Sequence, residues 1–313
     1  MATLVTGAGL IGASFAKHAL KRGEEVVFLD PFPRADFLAA KLGMDGYAIV
    51  PEDVRNLAAL VDVMKSRKIE TVVHTAGRIG QKAGNPVHEG YSLNVGGAQA
   101  VAEAARLTGV KRIVHMSTFG VYDWTRPMPE PINEDFPVGP SAAYGNFKIA
   151  QEMVLDAYSR AYGFELIMLR PANVYGHGHF WGGSGGGQKV RDLVHSGLTG
   201  EVARVPMRQT MAFEYVYAAD IGRAVDCAAT CAKPSHTTFN VGTGVSTSFD
   251  ELVATVKSKL PGLKVEIGEG KPPPSRTQHL DLSRARQQLG WSPTFTLEAG
   301  IEDYIAEMRT SLG

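Results

Sequence analysis

The sequence predicts an α/β protein: a doubly wound parallel sheet followed by a smaller C-terminal α/β unit. Three observations predict it. Short, near-continuously apolar runs alternate with helical ones through residues 1–175, the pattern of strands covered on both faces by helices. A glycine-spaced turn, TGAGLIG, joins the first strand to the first helix. After Tyr175 the texture breaks into a glycine-rich run and shorter elements. The expected division is 1–175 and 176–313, with the chain returning to the first unit around 213–241.

Taken in order, ATLVTG is an apolar run ended by glycine, and IGASFAKHALKRG follows with helical periodicity and a closing glycine. EEVVFLD is the next strand. The stretch from Val54 to Arg67 reads as a helix and leads to the strand ETVVHTAG. A helix from Leu93 to Thr108 leads to KRIVHMST, and one from Ala142 to Tyr162 leads to FELIMLRP. Right-handed crossovers between such strands give the doubly wound sheet. Residues 176–187, GHGHFWGGSGGG, carry too much glycine for a regular element. Then come EYVYAADIGRAVDCAA, TTFNVG and a helix from Phe249, opened by Ser248 and Glu251 at the spacing of a capping box. KPPPS is a loop, and a last helix lies near GIEDYIAEM.

A chain of 313 residues makes one large domain or two closely joined ones. Zero formal net charge leaves no electrostatic footprint for nucleic acid or an anionic membrane, so neither is an expected partner. No window approaches the roughly 18 apolar residues of a membrane span. The chain enters its first strand directly from MA, without a basic and apolar leader, so a cytoplasmic location is expected. The two cysteines, Cys227 and Cys231, share a helical face with no further soft ligands beside them. They read as reduced, small apolar residues, and no metal site is expected.

Gly7, Gly9 and Gly12 give GxGxxG between the first strand and first helix. Small residues there permit a tight turn, let backbone approach a pyrophosphate and pack helix on strand, while the helix N-terminus favours phosphate charge. In a chain with 35 glycines the spacing means little alone; its place after an N-terminal strand gives it weight and makes the fold Rossmann-type. Asp30 closes the second strand, where a carboxylate accepts hydrogen bonds from the adenosine ribose hydroxyls. It repels a 2′-phosphate by about 4 kcal/mol per unit charge at 4 Å and an effective dielectric of 20, favouring NAD over NADP. Arg34 nearby softens that preference, and a plain strand-end aspartate starting the DPFP turn is the bland alternative.

Tyr144 and Lys148, in SAAYGNFKIAQE, are four apart on a predicted helix and project from one face. Lowering a tyrosine by three pH units requires about 4 kcal/mol of preference for phenolate, which a neighbouring ammonium and an oxidised nicotinamide supply in a desolvated site. Tyr144 then removes a hydroxyl proton as hydride leaves the adjacent carbon. A tyrosine–lysine pair alone is more often a solvated helix face. Ser117 and Thr118 change that reading by ending the strand KRIVHMST, at the edge where ligands meet doubly wound sheets. Thr118 orients the substrate hydroxyl or bonds local backbone. Asn94, in YSLNVGGAQAV, holds cofactor or an ordered water, or simply starts a helix.

Together these segments resemble the extended short-chain dehydrogenase/reductase family, the group of NAD-dependent sugar-nucleotide epimerases and dehydratases. TGAGLIG, PEDVRN, VVHTAG, LNVGGAQAVAEAA, KRIVHMSTFGVY, YGNFK, LRPANVYG, YVYAADIGRAV, FNVGTG and DLSRARQQLGWSP match family segments in order along nearly the whole chain. The resemblance implies catalytic roles for Thr118, Tyr144 and Lys148. It implies an NAD site made by Gly7, Gly9, Leu10, Ile11, Gly12, Asp30, Asp53, Val54, Thr75, Ala76, Gly77, Asn94, Ser117, Tyr144, Lys148 and Pro171. Thr118, Asn173, Arg208 and Arg276 are the implied substrate contacts. A homodimer is implied too, formed by the helices Asn94–Thr108 and Ala142–Tyr162.

Departures narrow the expectation. The glycine loop is one residue shorter than the family's usual TGxxGxxG. Phe119 and Gly120 follow Thr118 where dehydratases place acids, which disfavours elimination chemistry. Phe213 stands where the sugar-nucleotide enzymes usually carry a diphosphate-binding arginine, with Arg208 as a shifted substitute and Arg276 as the later phosphate-binding arginine. The glycine run 182–187 is either a surface loop or an amide cradle for an anion. The leading expectation is an epimerase acting on a small sugar or nucleotide-sugar substrate. The alternatives are a net dehydrogenase or reductase of a smaller alcohol, sugar acid or ketone, and a non-catalytic NAD-binding protein.

Overall fold

The computed structural model describes residues 2–139, 141–178, 185–273 and 278–312. Strands and helices alternate from the start: β1 (Ala2–Thr6), α1 (Leu10–Lys21), β2 (Glu25–Leu29), α2 (Ala35–Leu42), β3 (Tyr47–Val50), α3 (Leu57–Ser66) and β4 (Ile69–His74). Next come α4 (Val87–Tyr91), a π-helical turn Ser92–Gly96, α5 (Gly97–Thr108), β5 (Arg112–Met116), α6 (Ala143–Tyr162), β6 (Glu165–Pro171) and β7 (Asn173–Tyr175). The remainder is α7 (Gly185–Thr199), β8 (Val202–Val205), β9 (Phe213–Tyr217), α8 (Ala218–Thr230), β10 (Thr238–Val241), β11 (Ser246–Thr247), α9 (Phe249–Lys259), β12 (Lys264–Ile267), α10 (Ser283–Leu289) and α11 (Leu297–Leu312).

Seven parallel strands form the large sheet in the order β10-β6-β5-β4-β1-β2-β3. Every residue of β1 and β5 is buried, because central parallel strands are covered on both faces. β3 was not read from the sequence: YAIV is only four residues, all half-buried at the sheet edge, and offers neither a long apolar run nor alternation. Beyond Tyr175 the chain returns to this sheet, since β10 pairs with β6 from Thr238↔Met168 to Val241↔Pro171. α8 lies against α1 so closely that a Cβ on Gly222 would stand 2.5 Å from the backbone of Ser14.

The smaller layers are a β7–β9 parallel pair with β11 antiparallel on β9, and a parallel β8–β12 pair. Their apolar faces meet α7, α9 and α11 in a core of Val190, Leu193, Tyr215, Phe249, Leu252 and Ile301. The Ser248–Glu251 capping box is present in full at the start of α9.

Three helix boundaries differ from the sequence reading. Asn56 caps α3 by accepting from Ala59 N–H, so that helix starts three residues after Val54. Residues 92–96 form a π turn before α5. Gly185–Gly187, read as irregular, are the first turn of α7. Gly186 is needed there: a Cβ would stand 2.6 Å from Asn173 Oδ1, so tertiary packing overrides poor helix propensity. Cys227 and Cys231 are free and partly packed on the large core. Among the described residues no helix is long and apolar enough to cross a membrane, and no group of three metal-binding side chains occurs.

Candidate active site

The carboxyl ends of β1, β2, β4 and β5 converge on the glycine turn. Gly7 has φ +90°, and a Cβ there would stand 2.8 Å from Thr75 Oγ1, so the turn needs glycine on two counts. Gly12 faces inward: a Cβ would stand 2.5 Å from the Gly7 carbonyl oxygen and 2.8 Å from Val5 Cγ1. Gly9 is the N-cap of α1 and faces outward, with nothing within 4 Å of a built Cβ. Leu10 and Ile11 begin α1, whose first turn carries no acid. A small-residue cradle at an unopposed helix N-terminus fits a pyrophosphate, so the shorter loop keeps the three-glycine logic.

Asp30 spans this cradle and the end of β2. One carboxylate oxygen accepts from Ala8 N–H and the other from Phe32 N–H, both at 2.9 Å. Arg34 is engaged by Asp36 at 2.9 Å. Thr75 supports the turn from behind, its hydroxyl donating to the carbonyls of Thr6 and Gly7 at 2.8 and 3.2 Å. Asp53 grips Arg55 through both carboxylate oxygens, which holds its carboxyl below the usual range. Val54 is buried and packs where a Cβ on Gly97 would stand. Gly77 meets Asn94, whose fully buried side chain accepts from Arg78 N–H and donates to Arg78 O. Asn94 therefore sits inside the π turn and does not open a helix; its own carbonyl accepts from Gln151 on α6. Pro171 ends β6 beside Val241.

Thr118, Tyr144 and Lys148 come together beside β5. Gly145 explains how: the first turn of α6 approaches so closely that a Cβ there would stand 2.8 Å from Gly120 O. Thr118 accepts from Gly120 N–H at 3.1 Å and hydrogen-bonds the Tyr144 phenol. Lys148 Nζ donates to Met116 O at 2.6 Å and stands 5.9 Å from the centre of the Tyr144 ring. Burial raises the Tyr144 phenol well above its ordinary range, the Thr118 hydrogen bond offsetting only part of this. Burial lowers Lys148 to about 7, against the pull of Glu152. The lowering of tyrosine expected from the lysine is thus not made by the protein's side chains alone.

A pocket opens beside Thr118, lined by Phe119, Trp124, Ala172, Asn173, Phe213 and His279 among others. Asn173 is buried there, its side-chain amide donating to Glu214 O at 3.4 Å. Arg208 lies on an exposed 3₁₀ turn outside this lining. Arg276 falls outside the described residues.

Residues 3–242 match the model of the NAD dependent epimerase/dehydratase family. The chain belongs to that family. It is an NAD-dependent enzyme of the extended short-chain dehydrogenase/reductase type, as the motif resemblance implied. The UDP-glucose 4-epimerase of Mycolicibacterium smegmatis is 34% identical over 99% of this chain and 99% of its own. MoeE5, solved with UDP-glucose and NAD, is 27% identical over the full length of both chains, with a TM-score of 0.84. The Thermotoga maritima UDP-glucose 4-epimerase shares the fold at a TM-score of 0.87, with 24% identity over the full length of both chains.

Three parts of this family member's site were not read from its sequence. Ser117 donates to Glu152, and Glu152 grips Arg170 at 2.6 and 3.0 Å, a buried network that pins α6 to β5 and β6. Its signal was present: Lys148, Gln151, Glu152 and Leu155 share one helix face, so the polar members must be buried. Glu214 accepts from the backbone N–H groups of Thr243, Gly244 and Leu280 at 2.6 to 2.8 Å and ties two loops to the pocket wall. An acid inside the apolar strand FEYVY was its signal. His74 and His115, paired across β4 and β5, stack with ring centres 5.3 Å apart beneath the site.

Proposed function

We propose that this enzyme is a nucleotide-sugar epimerase that abstracts a hydride from a secondary alcohol of the sugar and returns it to the other face. The observation that carries the reading is the convergence of Thr118, Tyr144 and Lys148 on the strand edge that also bears the glycine cradle and Asp30. The M. smegmatis epimerase, matched end to end, supports it.

In this reading Gly7, Gly9, Leu10, Ile11 and Gly12 receive the pyrophosphate, Asp30 the adenosine ribose, and Asp53 and Val54 the adenine edge. Thr75, Ala76, Gly77, Asn94, Ser117 and Pro171 shape the remaining walls, several through backbone and packing because their polar atoms are already engaged. NAD bound there supplies a hydride acceptor and a positive charge beside the phenol. Thr118 Oγ1 holds the substrate hydroxyl toward Tyr144, and the Tyr144 oxygen takes its proton and later gives it back. Lys148, anchored on Met116 O, supplies a positive charge close to that oxygen. Asn173 faces the sugar from the pocket wall, and Arg208 and Arg276 are candidates for the far end of the substrate. In this reading residues 1–175, with the returning stretch around 213–241, form the cofactor domain and the rest of 176–313 the substrate domain.

A homodimer through α5 and α6 fits the same reading. Leu107, Met153 and Tyr162 lie exposed on those helices, with Tyr91 nearby. Sedimentation velocity should give twice the chain mass, and a monomer at micromolar concentration would remove the dimer. A cytoplasmic location is part of the same proposal.

One observation favours a second reading, a net dehydrogenase of a smaller alcohol: Phe213, not arginine, lines the pocket wall. NMR of UDP-glucose incubated with enzyme separates the two. Appearance of UDP-galactose without added NAD supports the epimerase, while no change, together with NAD reduction by small hydroxy compounds, supports the dehydrogenase. The Tyr144→Phe variant should lose about 10²- to 10⁴-fold in turnover under either. Near-wild-type turnover would sink the chemistry assigned to Tyr144.

A further inference from the structure

Lys189 is anomalous. It lies in the second turn of α7, only 2% exposed, and its ammonium has no hydrogen-bond partner among the described residues. Its nearest company is aromatic: the ring of Phe213 at 4.3 Å and that of Phe249 at 5.5 Å. Burial pulls the amine down to about 8, and no carboxylate acts on it. Lysines on apolar stripes ordinarily extend their ammonium to water or pair it. This one does neither, although it shares the buried stripe of Val190, Leu193 and Val194. Methionine would pack the same space without desolvating a charge, so the resting structure does not account for the lysine.

The surroundings identify what does. Phe213, which carries the ammonium, lines the pocket together with Asn173. The first turn of α7 rests on Asn173 through Gly186 and has no acidic residue. On the same face of β9, Tyr215 holds a second buried polar atom without a partner. Two groups without a partner among the described residues, on facing elements beside a binding pocket, indicate a ligand contact. Phe213 also stands where the resemblance places a diphosphate-binding arginine.

We infer that Lys189 is the cation that holds the diphosphate of the nucleotide-sugar substrate, its ammonium leaving the ring of Phe213 to meet phosphoryl oxygens. This rests on the nucleotide-sugar reading above. Arginine and lysine reach such a group from different elements here: the charge comes from α7, and the aromatic ring at 213 is its resting dock.

The test is calorimetric titration of UDP into the full-length protein as purified, wild type and Lys189→Met, with Lys189→Gln as a second variant should the first not fold. Loss of one charge-assisted contact should weaken UDP binding about 10- to 100-fold. The melting temperature without UDP should rise, because an uncompensated buried charge has been removed, and NAD content per chain should not change. Lys189→Met/Phe213→Arg should recover UDP affinity. Unchanged UDP affinity in the variants, or a lower melting temperature with unchanged affinity, would overturn the inference and leave the nucleotide-sugar reading intact. Wild-type protein that binds neither UDP nor a UDP-sugar would instead sink that reading, and the inference with it.

Discussion

The cofactor cradle and the α7–β9 wall of the pocket solve the same problem, receiving an anionic ligand, in opposite ways. At the cradle the side chains are already engaged within the protein. Asp30 holds two backbone N–H groups, Thr75 two carbonyls and Asn94 both sides of Arg78. What is left for the pyrophosphate is backbone, exposed by glycine. At the α7–β9 wall the backbone is packed and side-chain atoms are left over, at Lys189 and Tyr215. The first arrangement is preorganised and cheap to keep folded. The second keeps buried polar atoms in waiting, at a cost in stability that a ligand relieves.

One feature of the cofactor half breaks this rule, and it gives the largest expected effect on stability. His74 and His115 are fully buried, and of their ring nitrogens only His74 Nδ1 has a partner among the described residues, Thr6 Oγ1 at 2.7 Å. Burial, with Lys148 adding to it, lowers His74 to about 3 and His115 well below its ordinary value. Both rings are therefore neutral when folded and take protons at about 6.5 when unfolded. The stability this protects is complete above about pH 6.5 and is lost as pH falls toward about 3, because the unfolded chain binds the protons first. Each histidine removes about 1.4 kcal/mol per pH unit in that window. From about pH 6.5 to 4.5 the pair removes on the order of 5 kcal/mol, a large share of a typical folding free energy. Urea melts at a series of pH values should show this loss, halved in slope by His115→Phe. The same slope in both proteins would remove the pair as its cause.

The contrast between the halves also governs what the sequence disclosed. The glycine turn, Asp30, Thr118, Tyr144 and Lys148 were legible because backbone geometry and strand ends demand those residue types at fixed spacing. At the pocket wall the decisive facts are tertiary. Gly185–Gly187 read as a loop because glycine costs about 1 kcal/mol per residue in a helix, yet contact with Asn173 requires no side chain at Gly186. Lys189 is not legible in the sequence because its burial depends on Phe213 and Phe249, 24 and 60 residues away. Glu152 and Arg170 escaped for the same reason: each is an ordinary helix or strand residue until the sheet brings them together. Spacing on a helix does not show that Lys148 spends its ammonium on Met116, so the lysine's share in lowering Tyr144 was not legible.

The second and third glycines of the cradle sharpen the comparison on the smallest scale. Gly12→Ala puts a methyl 2.5 Å from Gly7 O and 2.8 Å from Val5, both parts of a packed strand and turn. Overpacking of that kind should cost about 1–3 kcal/mol of stability and empty the protein of NAD together. Gly9→Ala puts its methyl into open space at φ −91°, so the fold should lose no more than about 1 kcal/mol, the difference between glycine and alanine at an N-cap. NAD released on denaturation should nonetheless fall, because the methyl stands where backbone meets the phosphates. Equal NAD content in wild type and Gly9→Ala would mean that the pyrophosphate does not lie over this turn. A Gly9→Ala protein as unstable as Gly12→Ala would mean that the turn is held by packing on both sides rather than left open on one.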